Sequence, residues 1–200
     1  MDSSDTDLTA RQDTHPVRVE VIFLRLEPIP KTGTDHSVLS YRVVQRPLRS
    51  GTTPDAAALH CAADAHAAPA STLGGIDVVH STSWRHSHLG IILTYAALPD
   101  PRPELPAAVL HAPSVVCSGD PLQPAPDQLH DHHIAAHAVR HLTYLLDHDP
   151  GVAATSHRPH LAPLWTAMRV AASSMPTAPH ALAHRSAGRS LNPSKTRSAS

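Results

Sequence analysis

VRVEVIFLRL, Val17 to Leu26, is the stretch whose reading decides the fold. Val17, Val19, Val21 and Phe23 share one parity, and Ile22, Leu24 and Leu26 share the other. Successive side chains of a strand point to opposite faces, so this pattern predicts a strand that becomes apolar on both sides and therefore lies centrally in a sheet. Pro28 and Pro30 end it. Val38 to Gln45 reads as a second strand, joined to the first through the turn-rich Lys31 to Asp35, and the two form a predicted hairpin.

Further along, Thr53, Pro54 and Asp55 read as helix cap, first helical position and dipole-favoured acid, with helix-forming residues from Ala56 to Ala68. Ile76 to Trp84 and Gly90 to Leu98 read as a second hairpin turning around His86, Ser87 and His88. Pro99, Pro101 and Pro103 then stop the chain's extended run, and Ala107 to His111 and Ser114 to Cys117 are short enough to be edge strands. Asp127 is the expected cap of the longest helix, which the apolar periodicity carries to about Asp149 before Pro150 and Gly151. A last helix, Pro159 to Ala172, presents Leu161, Leu164, Trp165 and Met168 at three- and four-residue spacing. Together these elements predict an α+β fold: a single domain over 15–172 with a mixed or mainly antiparallel sheet packed by two C-terminal helices. A polar leader over 1–14 and a mildly basic tail over 173–200 are expected to be disordered.

The 200 residues hold 41% hydrophobic and 16% charged side chains, a globular balance, and the 20 prolines imply many loops. Aromatic residues are 3%, so the core is expected to be aliphatic and few rings are on hand to stack on bases. A formal net charge of −1 gives no electrostatic case for nucleic acid or an anionic membrane. Cys61 and Cys117 are too few for a disulfide scaffold and lack zinc-knuckle spacing, which fits a reducing compartment. The acidic start is no secretory signal, and Gly90 to Leu98, the best apolar run, is under half a membrane span. A soluble, cytoplasmic protein is expected.

Histidine is the unusual residue, at 18 of 200. Arg-, Ala-, Pro- and His-rich usage is what GC-rich codons favour, which supplies a compositional source for part of that excess. Five histidines, His130, His133, His137, His141 and His148, nevertheless fall with Tyr144 on one face of the longest predicted helix, within roughly 80° of arc, beside its apolar face. Histidines four apart can share one metal ion, so His133, His137 and His141 are the candidate metal ligands, for zinc or another divalent ion. Only neighbours in that row can share it, because His133 and His141 stand about 12 Å apart along the axis. A partner from elsewhere is required, and His80, His86, His88, Cys117 and Asp120 are the candidates. Glu20, Glu27 and Glu104 are the only glutamates in the chain, so no HExxH motif and no helical glutamate base is present. Ser81, Ser83 and Arg85, on one parity of a strand, form a candidate anion-binding face, since Arg offers a bidentate fork and hydroxyls offer further donors. Cys117 lacks a following helix and Gly74–Gly75 lacks a phosphate-loop context, so neither marks a nucleophile or a nucleotide site.

IDVVHSTSWRHSHLGIILTYAALPDP, Ile76 to Pro101, is similar to the central hairpin of a family of small uncharacterised actinobacterial proteins, which carries no assigned activity. The order of elements from Val17 to Leu146 also loosely resembles a Nudix-type mixed sheet flanked by helices. That resemblance implies a non-catalytic or rewired version, because the glutamates a Nudix box needs for magnesium are missing from Asp55 to Ala68. The function expected is a non-catalytic binding or accessory protein for a small molecule or a protein partner. A metal-dependent hydrolase built on His133 and His137, and a module whose association responds to pH through the histidine face, are the alternatives.

Overall fold

Five strands and four helices follow the chain order of a mixed sheet, seen in a computed structural model that describes residues 16–29, 37–63, 75–88, 90–111, 113–116, 126 and 128–176. The expected leader, Cys117, Asp120 and Asp127 lie outside these residues, as does the tail beyond 176. The strands are β1 (Val17–Pro28), β2 (Ser37–Pro47), β3 (Val78–Ser87), β4 (Gly90–Leu98) and β5 (Ala108–Val109), in the order β3-β4-β1-β2-β5. β1 is central, antiparallel to β2 and parallel to β4, while β3 and β4 form the second hairpin.

Both faces of β1 are buried. Val19, Val21 and Phe23 pack with Tyr95, Ala97, Ala58 and Cys61 beneath α1 (Pro54–Ala63). Ile22 and Leu24 join Leu39, Tyr41, Ala96 and Leu98 beneath α2 (Asp131–His148), α3 (Pro150–Thr155) and α4 (Ala162–Ser174). The result is a three-layer α+β domain, with one short helix on one face and the C-terminal helices on the other. Gly90 opens β4 with φ +107°, and a side chain there would run into the Pro16 backbone, whose carbonyl accepts the Ile91 amide at 3.1 Å.

Side-chain caps of the expected kind start α1 and α3. Thr53 caps α1 as expected, its Oγ1 accepting the Ala56 amide at 3.2 Å, and Tyr95 donates to Asp55 at 2.6 Å to tie α1 to β4. Burial, and then the Asp55 carboxylate, push the Tyr95 hydroxyl well above its ordinary pKa. α2, however, is capped by His130 rather than by Asp127, and the His130 amide donates back to His133 Nδ1 at 3.3 Å. Imidazole here takes the reciprocal place that Glu or Gln holds in a capping box. The far end of α2 lies where it is expected, at His148 with an extended Asp149 as its C-cap, before Pro150 and Gly151. Asp149 Oδ1 then accepts the Val152 amide at 3.0 Å and Pro150 takes the first turn, so a short additional helix, α3, begins directly after that stop. α4 starts at Ala162 rather than near Pro159 and continues to Ser174, and Met175 is buried beyond it.

A charged knot fastens the segment after β4 over the end of β1. Asp100 accepts from Arg25 at 2.9 Å, from Arg42 at 3.0 and 2.5 Å, and from the Arg102 amide at 3.0 Å. Arg25 also donates to the carbonyls of Arg102 and Leu105 at 3.2 and 2.7 Å, and the Arg42 guanidinium lies 4.5 Å from the centre of the Phe23 ring.

Candidate histidine site at the junction of α2 and β3

β3 carries a bulge between Ser81 and Ser83 that changes which residues face α2. Before it His80 lies opposite Ala96, and after it Ser83 and Arg85 lie opposite Thr94 and Ile92, all on the α2 side of the sheet. Ser81, opposite Tyr95, is on the α1 side, as are Trp84 and His86, opposite Leu93 and Ile91. An inserted residue shifts the alternation by one, so Ser81 is parted from Ser83 and Arg85. The expected three-donor anion face is not assembled.

Arg85 has a different task. Its fork meets both oxygens of Glu20 at 2.8 Å, one branch also donates to Thr94 Oγ1 at 2.9 Å, and Thr94 donates to Glu20 at 3.1 Å. Glu20 is 3% exposed, so this is a buried, satisfied ion pair in the sheet rather than an open receptor. Glu27 is likewise paired with Arg25 and accepts from Ser40 at 3.2 Å, and Glu104 is paired with Arg102. Every glutamate of the chain is thereby committed to an arginine.

The histidine stripe of α2 divides into three parts. At the start His130, His132 and His133 crowd together, with ring centres 5.5 Å apart for His130 with either neighbour and 3.9 Å for His132 with His133. His132, off the expected face, enters this group because the first turn brings it beside its neighbours. At the far end His148 stacks on Tyr144 at 3.8 Å, both exposed. In the middle α2 reaches across to β3: the His141 ring lies 5.5 Å from His80 and 6.4 Å from His137. Of the outside partners that lie among the described residues, His80, His86 and His88, it is His80 that is brought to the stripe. His86 instead meets Trp84 edge-on at 5.5 Å, and His88 is exposed in the β3–β4 turn.

Among the described residues no group of three or more His, Cys, Asp or Glu is arranged to hold a metal ion, so His133, His137 and His141 do not form a three-ligand centre. Successive turns of α2 spread them along the axis, as helix geometry requires. The central cluster has two marked features. His141 Nε2 is buried without a hydrogen-bond partner among the described residues. His80 Nδ1 lies 2.7 Å from the Ser81 carbonyl, which can only accept, so Nδ1 carries the proton and Nε2 keeps its lone pair. Burial, followed by the neighbouring His80 and His137, lowers the His141 pKa below its ordinary value. Burial, then His132 and His130, does the same to His133. For a histidine shifted this way the unfolded chain takes up protons first. The stability it contributes is complete above the ordinary value near 6.5 and drains away as pH falls through the lowered one.

The chain matches no family model, no curated protein and no solved structure. No helix among the described residues is long and apolar enough to cross a membrane.

Proposed function

We propose that this chain is a binding module, an accessory protein rather than an enzyme, and that it meets a protein partner along β3. The observation that carries this reading is Trp84, 64% exposed on an outer strand whose other side bears no strand among the described residues. A large aromatic ring left in water beside unpaired strand backbone is the arrangement on which an extended segment of another chain adds, through main-chain hydrogen bonds and a side-chain anchor. On the Trp84 face of β3 the nearest ring is His86 and β3 contains no carboxylate, so the segment it fits is extended and apolar at one position. The bulge between Ser81 and Ser83 limits regular addition to the stretch beyond it, where Trp84 stands. The commitment of all three glutamates to arginine supports the non-catalytic part of the reading, since none is left to activate water beside the histidines.

A photo-crosslinking residue in place of His86, in the chain expressed in its own host, tests this. One discrete protein adduct is expected, lost when Trp84→Ala is added and not formed from the exposed control position Val170. Equal adducts from both positions, or none from 86, would count against a partner on β3.

A further inference from the structure

We propose that His80 and His141 form a two-histidine site for a divalent transition-metal ion, joining α2 to the outer strand β3. The inference is independent of a protein partner on β3, and either can fail alone. Zinc, nickel and copper all favour imidazole nitrogen. Two imidazoles bound through nitrogens about 2.1 Å from a tetrahedral ion hold their ring centres roughly 5–6 Å apart, and those of His80 and His141 are 5.5 Å apart.

The chemistry of each ring fits a ligand. His80 Nδ1–H donates a hydrogen bond to the Ser81 carbonyl, the outer-sphere bond that commonly fixes the tautomer of a metal-binding histidine, and this leaves the Nε2 lone pair of the neutral ring to bind an ion. His141 Nε2 is, with Trp165 Nε1, one of two buried side-chain atoms without a hydrogen-bond partner among the described residues, a costly condition that an ion relieves. His137, one turn away at 6.4 Å, is stacked at 22° to His141 and can be recruited by a change of rotamer, with water filling the other positions. The described residues place no three-donor group, so the protein supplies two ligands before any such movement. This differs from the pairs along α2 that helical spacing suggests, because its two ligands come from a helix and a strand 61 residues apart in sequence.

Eighteen histidines make unspecific metal uptake a real competitor, so the test must be read residue by residue. Nickel(II) added below stoichiometry to the untagged chain is expected to broaden the ring C–H magnetic-resonance signals of His80 and His141 before those of other histidines. Zinc(II) is expected to raise the thermal midpoint by several degrees in the parent chain and in His133→Gln, but not in His80→Gln or His141→Gln. Broadening that begins at His130, His132 and His133, or that spreads evenly over all histidines, would overturn the site. An equal zinc response in His80→Gln and the parent would do the same, and His80→Gln keeps that comparison open should His141→Gln fail to fold.

Discussion

Replacing Asp100 with alanine is expected to destabilise the fold by about 3–5 kcal/mol, the cost of removing one partner from a buried ion pair. The Asp100 side chain is fully excluded from water, while those of Arg25 and Arg42 are 7% and 10% exposed. Its two oxygens accept from both guanidinium groups and from the Arg102 amide. Alanine would leave two buried cations facing each other with no anion between them. Arg25 would keep Glu27 and the carbonyls of Arg102 and Leu105, whereas Arg42 would retain the Phe23 ring. Arg42 is therefore expected to swing outward and uncover that ring, adding lost apolar burial to the electrostatic cost. Urea unfolding reads this as a lower midpoint at nearly unchanged slope. A loss under about 1 kcal/mol would show that the knot is solvated in solution and is worth no more than a surface pair.

Arg85→Ala is expected to cost about 3 kcal/mol for the same physical reason, since Glu20 would remain as a buried carboxylate with only the Thr94 hydroxyl to donate to it. The informative companion is the double replacement Glu20→Leu with Arg85→Met. Removing both charges together avoids the orphaned ion, so the double variant is expected to be more stable than Arg85→Ala and closer to the parent. A double-mutant cycle across Glu20 and Arg85 should return a coupling of about 2 kcal/mol or more. Additive losses would mean that Arg85 is free, which would reopen it as an anion receptor.

These two charge clusters also mark where the sequence stops being legible. The alternation of Val17 to Phe23 is enough to find β1 and to place it centrally, and Thr53, Pro54 and Asp55 are enough to start α1. Glu20 and Arg25 interrupt the apolar pattern visibly, but their partners lie 65 and 75 residues away, a distance over which local pattern carries no information. The bulge in β3 has no glycine or proline to announce it, so alternation assigns Ser81 to the same face as Ser83 and Arg85, and the sheet separates them. Asp149–Pro150 serves twice, as the stop of α2 that the proline announces and as the cap and first turn of α3, which nothing in the apolar periodicity announces. The histidine stripe is legible because a helix repeats every 3.6 residues. That His80 and not His86 comes to meet it depends on how α2 crosses the sheet, which no spacing in the sequence encodes.

The meeting of His141 with His80 is what separates a site from a surface that is merely rich in histidine, and ring-proton magnetic resonance of the metal-free, untagged chain measures it directly. A through-space cross-peak between the His80 and His141 rings is expected, with His141 titrating below its ordinary pKa because it is buried beside His80 and His137. Absence of that cross-peak, together with a His141 titration at the value of a free imidazole, would contradict the closure of α2 on β3.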